Sequence, residues 1–197
     1  MGTVKPWSRS EPTRSPFALP SGLGGWFAGR IMLWLNEQQD VVDLLDVRPG
    51  EVVLEVGYGP GGLIRRLRRT SAKRICGVDP SQQMCDLVRR RADERIEVRT
   101  GTAERTGFRD AEFDCAVSVN NVAIWPNLER GLDELRRVTR PGGRLLIAWH
   151  GGTHPNRIAR SQALREDQLT RIEQELGKRF TTTARHELTS LTAWLAR

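Results

Sequence analysis

The sequence predicts an α/β protein organised around a doubly wound, mostly parallel sheet of seven strands, with an antiparallel C-terminal strand and an N-terminal helical cap. Three observations carry this expectation. Val52-Val53-Leu54-Glu55-Val56 is a short apolar run of the kind found in strands buried on both faces. From there to residue 150, strand-like and helix-like segments alternate with short connections, the order that builds parallel βαβ units. Between the first strand and its helix lies Gly57-Tyr58-Gly59-Pro60-Gly61-Gly62, a turn tight enough to need glycine.

The elements follow in chain order. Residues 1–20 carry Pro6, Pro12, Pro16 and Pro20 among Ser, Thr and Arg, and are expected to form a flexible arm. In residues 21–46, Trp26, Ile31, Leu35, Val42 and Leu45 recur at roughly helical spacing, which predicts the cap. Arg48-Pro49-Gly50-Glu51 turns the chain into the first strand. After the glycine loop, Leu63, Ile64 and Leu67 form an apolar stripe, while Arg65, Arg66, Arg68 and Arg69 face outward. Arg74–Asp79 reads as strand two, and Ser81 is placed to cap a helix carrying Met84, Leu87 and Val88. Strand three spans 95–100 and strand four is Phe113–Val119. Leu128, Leu132, Leu135 and Val138 mark a helix with one buried face, which Pro141-Gly142-Gly143 is expected to stop before strand five at 144–149. A polar helix over 156–176 ends at Gly177, and 180–188 and 190–196 read as two strands close enough to pair antiparallel. A helical reading of the last segment stays open.

A chain of 197 residues buries enough surface to hold a core without staples. It is read as one domain over 21–197, with the cap at 21–46, a ligand-binding core at 47–150 and a C-terminal helix and strand pair at 151–197. Cys76, Cys85 and Cys115 are odd in number and form no C-x-x-C pair, so neither a disulfide framework nor a metal site is expected. No apolar run approaches the roughly 18 residues of a membrane span, and Pro, Ser and Gly stand where a signal peptide needs an apolar stretch. A reducing cytoplasm is the expected compartment. The net charge of +7 raises nucleic acid as a partner, yet only Lys5, Lys73 and Lys178 of the 31 basic residues are lysines. That bias is as readily the mark of a GC-rich coding sequence, so nucleic acid is not the expected partner.

The glycine loop follows a strand and opens a helix, the context in which such a cluster holds a ligand. Gly57, Gly59 and Gly62 satisfy the dinucleotide pattern G-x-G-x-x-G, and Asp79, 22 residues after Gly57, is placed to bind a ribose. Glu55 with Gly57, Gly59 and Gly61 equally fits E-x-G-x-G-x-G, the pattern of nucleoside binders without a pyrophosphate. Here the chain resembles the class I S-adenosylmethionine-dependent methyltransferases. The resemblance covers about residues 40–150 and rests on several segments in order: 53–61, Gly77-Val78-Asp79-Pro80-Ser81, Gly101-Thr102-Ala103-Glu104 with Phe108, 113–121, Leu135-Arg136-Arg137-Val138 and Pro141-Gly142-Gly143.

The resemblance implies a Rossmann-like fold and S-adenosylmethionine as cofactor, with S-adenosylhomocysteine as its product. It places Glu55, Gly57, Tyr58, Gly59 and Gly61 against the methionine part, Asp79 and Pro80 at the ribose, and Thr102, Ala103 and Glu104 beside the adenine, with Asn120 completing the set. Many members have Asp where this chain has Thr102, which leaves backbone contacts at Ala103 for the adenine.

Methyl transfer from a sulfonium needs positioning and desolvation more than a dedicated catalytic group. The acceptor is expected near the loops after strands four and five, outside the carboxyl ends of the strands. Asn121, Trp125 and Trp149, with Trp26 from the cap, are the candidate pocket walls, and His150 is a candidate general base for a hydroxyl or acidic carbon. Asn-Asn-Val-Ala after strand four is not the Asn/Asp-Pro-Pro-Tyr/Phe signature of many amino-methylating enzymes, and no Pro-Cys pair offers a covalent nucleophile. A small-molecule acceptor is therefore expected, as in the methyltransferases of quinone and secondary-metabolite biosynthesis. Two alternatives stay open: an RNA methyltransferase using the arginine-rich helix faces, and a non-catalytic cofactor-binding partner subunit. The oligomeric state is not legible in the sequence.

Overall fold

Leu54 sits opposite Cys76 on one side and Ala116 on the other, so β1 (Val52–Val56) lies between β2 (Arg74–Asp79) and β4 (Phe113–Val119), parallel to both. The computed structural model describes residues 5–8 and 38–197. Beyond β2 lies β3 (Ile96–Thr100); beyond β4 lie β5 (Thr139–His150), β7 (Leu191–Ala196) and β6 (Thr183–Glu187). The seven-stranded order is β3-β2-β1-β4-β5-β7-β6, and β7 alone in this sheet runs against the direction of the other six strands. The last segment is thus a strand, with Trp194 fully buried. The expected arm at 1–20, apart from 5–8, and the cap up to residue 37, including Trp26, lie outside the described residues.

Alternation along β1 and β4 feeds two separate cores. Leu54, Val56 and Ala116 join one, and Val53, Cys115 and Val117 join the other. The second is covered by α1 (Gln38–Leu45), α2 (Gly62–Leu67) and α3 (Gln82–Arg89), the first by α4 (Leu128–Val138) and α6 (Glu166–Gly177). Strand order builds outward in opposite directions from β1 and β4, which opens a crevice at their carboxyl ends. Ser81 caps α3 as expected, its Oγ accepting from Met84 N–H at 3.4 Å.

Two boundaries differ from the sequence reading. The helix stops at Val138, before Pro141, because Thr139 already pairs with Phe113 as the first residue of β5. Pro141-Gly142-Gly143 is instead absorbed in a register shift, where the partner of β4 moves from Thr139 at Phe113 to Arg144 at Cys115. The polar helix over 156–176 is two helices, α5 (Arg157–Gln162) and α6. Trp149 Nε1 donates to the Gln162 carbonyl at 2.7 Å, and Gln168 Oε1 accepts from Arg165 N–H at 3.0 Å to begin the new helix.

At the opposite end of the sheet, Arg144 is buried and fully engaged. Its guanidinium donates to both Glu51 carboxylate oxygens (2.8 and 2.7 Å) and to the carbonyls of Leu45 and Asp46 (2.6 Å each). Those carbonyls end α1, so one side chain fastens that helix to the sheet. Although burial opposes ionisation, Arg144 and the Arg48 N–H hold the Glu51 carboxyl below its ordinary pKa.

Candidate active site at the carboxyl ends of β1 and β4

The loop leaving β1 turns on glycines at positive φ: Gly57 at +76°, Gly59 at +49° and Gly61 at +80°. At Gly57 a second constraint applies. The Asn121 carboxamide lies directly over its Cα, so that a Cβ there would come under 3.0 Å from the Asn121 side chain. Asn121 Nδ2 donates to the Gly57 carbonyl at 2.9 Å and to that of Val119 at 2.8 Å. Read from sequence as a pocket wall, Asn121 is a clamp that joins the end of β4 to the glycine loop.

Asp79 ends β2 with a buried carboxylate already oriented by the loop. One oxygen accepts from Gly59 N–H at 2.8 Å and the other from Ser81 N–H at 2.9 Å. A carboxylate offers about four acceptor sites in all, an acceptor set matched to a ribose diol. Glu55 is buried, and its Oε2 has no hydrogen-bond partner. Burial first, and then the negative charge of Asp79, push its carboxyl up to about 8. Asn120, held at φ +55° while its N–H donates to the Ala148 carbonyl at 2.8 Å, likewise has a buried Oδ1 without a partner. Orphaned buried oxygens on both sides of a glycine turn are the mark of a polar ligand site.

The remaining predicted contacts divide. Tyr58 drops its ring into the core beneath the loop, so close to Gly77 that a Cβ there would lie 2.6 Å from the ring. Its ring is therefore part of the core, and burial raises its phenol pKa. Thr102 and Arg105 exchange backbone hydrogen bonds of 3.1 Å, which makes a tight turn with Thr102 exposed and Ala103 buried. The Glu104 carboxylate accepts from Asn127 N–H at 2.9 Å and so belongs to the start of α4. Pro80 is exposed beside Asp79.

On the acceptor side, a short 3-10 turn, Val122–Ile124, follows β4. Trp125 is buried against Gly131, and Trp149 is buried at the end of β5. His150, the last residue of β5, is 8% exposed, with its ring edge-on to Trp149 at 5.2 Å. The short described N-terminal segment closes this side, a contact the proline-rich composition gave no reason to expect. Trp7 Nε1 and Ser8 Oγ donate to the Val122 and Ala123 carbonyls at 2.6 Å each, and Gln168 Nε2 donates to the Ser8 carbonyl at 2.6 Å. Between these parts lies a cavity of about 190 Å³ lined by Ser8, Ala123, Ile124, Trp149, Leu164 and Gln168. Among the described residues no group of three His, Cys, Asp or Glu side chains is arranged to hold a metal, and no helix is long and apolar enough to cross a membrane.

Comparison with known proteins gives this geometry a family. The profile of a methyltransferase domain matches residues 54–147. The uncharacterized methyltransferase YdaC of Bacillus subtilis is 32% identical over 124 residues, which cover 61% of this chain and 68% of YdaC. The 24-methylenesterol C-methyltransferase 2 of Oryza sativa is 31% identical over 162 residues, 71% of this chain but 44% of that enzyme. The chain likewise spans only 31 to 61% of the length of several other curated relatives. A solved S-adenosylmethionine-dependent methyltransferase of Aquifex aeolicus superposes with a TM-score of 0.66 at 16% identity, covering 89% of this chain and 98% of that one, which shows the shared fold. The chain belongs to the class I S-adenosylmethionine-dependent methyltransferases, and S-adenosylmethionine is its cofactor.

Proposed function

We propose that the protein methylates a small, apolar or aromatic molecule, as one domain over 21–197 acting in the cytoplasm, chiefly by positioning and desolvation. The observation that carries this reading is the cavity beside Trp149: about 190 Å³, with an apolar wall of Ala123, Ile124, Trp149, Ala163 and Leu164 and a polar edge of Ser8, Ser161, Gln162, Arg165 and Gln168. It lies next to the carboxyl ends of β4 and β5, on the acceptor side of the crevice, and its volume, below the roughly 300–1,000 Å³ of drug-sized pockets, leaves room only for a compact acceptor group. The sterol methyltransferase among the relatives acts on an apolar acceptor, which agrees with this reading.

The residues present fit the cofactor. When bound, S-adenosylmethionine supplies an activated methyl group on a sulfonium. Asp79 is set to hold the ribose hydroxyls, the Gly57–Gly59 backbone allows close approach, and Glu55 and Asn120 offer buried oxygens to the methionine end. Asn121 keeps the loop in its ligand-ready shape, and the Trp7–Ser8 contacts hold the turn after β4 on the acceptor side. The buried indole of Trp149 and the aliphatic wall exclude water, which strengthens each polar contact inside. His150 is the candidate base if the acceptor must lose a proton.

The test is a labelled-methyl screen of the purified chain with metabolite extract in one arm and total RNA in the other. Label entering an extractable small molecule is the expected result. Label in RNA, or none in either arm, refutes the proposal.

A further inference from the structure

Residues 62–95 carry ten basic and four acidic side chains, a surplus of +6 in a protein whose total is +7. One of the four acids, Asp79, is buried in the active site and does not offset the surface charge. The fold gathers the surplus further. α2 and α3 cover the same face of the sheet, and the chain leaves each of them to begin the next strand, so both end at the amino-terminal edge. Asp93 ties the two ends together: it lies 3.9 Å from Arg68 and 3.7 Å from Arg95, and Arg95 also donates to the Arg68 carbonyl at 2.8 Å. Around this knot Arg65, Arg69, Lys73, Arg90 and Arg91 are exposed, and none makes an ion pair with another described residue.

Cations at helix C-termini are favoured by the helix dipole, but only over the last turn and only weakly. Five unpaired cations around one junction repel one another, a cost that an anionic partner would relieve. The chemistry of the surface narrows the partner. Four of the five are guanidinium groups, whose planar fork matches phosphate oxygens in pairs. The other exposed side chains of the two helix ends, Arg68, Ser71, Asp86, Arg89 and Glu94, are polar or charged, so no apolar wedge is present to enter a bilayer. We propose that the junction of α2 and α3 is a docking surface for the phosphodiester backbone of a nucleic acid. It lies a strand length, roughly 17–20 Å, from the glycine loop, so it tethers the enzyme and does not present the acceptor.

The experiment measures binding of the full chain to a fluorescein-labelled 20-nucleotide single-stranded RNA by anisotropy, between 50 and 200 mM salt, beside phosphatidylserine vesicles. Four neutralised phosphates give a log–log salt slope near −2.8 for a single strand. The variant R65Q/R69Q/R90Q/R91Q is expected to bind about tenfold or more weakly at the low salt and to lose most of that slope. The pairs R65Q/R69Q and R90Q/R91Q are made separately as well, so that misfolding of one variant leaves the others readable. R157Q/R160Q, on exposed arginines of α5, serves as the control and is expected to stay within twofold of wild type. A wild-type slope near zero, a quadruple variant within twofold of wild type, or arginine-dependent binding to vesicles in preference to RNA overturns the proposal.

Discussion

Replacing Gly57 with Ala tests the glycine loop at the point where two constraints meet. The first is the backbone: φ of +76° costs an L-residue about 1–2 kcal/mol. The second is Asn121, which must leave its place over the Gly57 Cα and give up hydrogen bonds of 2.9 and 2.8 Å, worth about 0.5–1.5 kcal/mol each. The total is about 2–5 kcal/mol, charged to the loop shape that receives the cofactor, and S-adenosylmethionine affinity is expected to fall by about 30-fold or more. Calorimetry on wild type, Gly57→Ala, Asn121→Ala and the double variant separates the two causes. Without the Asn121 carboxamide the clash disappears and only backbone strain remains, so Gly57→Ala in that background is expected to cost about 1–2 kcal/mol. An equal cost in both backgrounds refutes the role given to Asn121. A Gly57→Ala affinity within about threefold of wild type refutes the whole argument.

Three further outcomes are expected. The Glu55 carboxyl, raised from its ordinary 4.5 to about 8 in the folded chain, contributes stability that is fully present below pH 4.5 and lost as pH rises through 8. Wild type should therefore lose thermal stability relative to Glu55→Gln across that window, and a difference in Tm that does not vary with pH would disprove the shift. Arg144→Met leaves the Glu51 carboxylate buried without its partner and is expected to cost about 3–5 kcal/mol in urea unfolding, largely restored by adding Glu51→Gln; a loss under about 1 kcal/mol contradicts this. Trp7→Ala removes the indole bond to the Val122 carbonyl, so amide exchange in residues 122–125 should accelerate while S-adenosylmethionine affinity holds, and unchanged exchange would show that the contact is idle.

What the sequence disclosed and what it withheld divide by the range of the interaction. β1, β2 and β4 were legible because each is an apolar run closed by turn residues, and the Ser81 cap because it acts within one helical turn. The start of β5 was not, since it depends on Thr139 finding Phe113; nor was the break before α6, since it depends on Trp149 taking a carbonyl 13 residues ahead. In the site, the glycines and Asp79 are encoded locally by backbone conformation and strand position. Asn121 acts on a residue 64 positions earlier, and Trp7 on one 115 positions later, with no spacing pattern to betray either. The direction of the Tyr58 ring was hidden for a related reason: its place in the loop could be read, but the side of the loop its ring takes is settled by the space above Gly77.

The place of β7 has a consequence for how the protein is made. During synthesis β6 emerges before β7, yet the sheet position beside β5 belongs to β7, and β6 has no strand to join until β7 has arrived. In that interval residues 145–150 of β5, Leu-Leu-Ile-Ala-Trp-His, present an open apolar edge of the kind that recruits other chains. α6 can meanwhile settle on α4 through the Arg179–Asp133 pair and the bond from Arg136 to the Arg179 carbonyl, which leaves a waiting slot for one strand. The nascent chain therefore carries an unpaired apolar edge until β7 arrives, and a holdase that covers the edge of β5 would act in that interval.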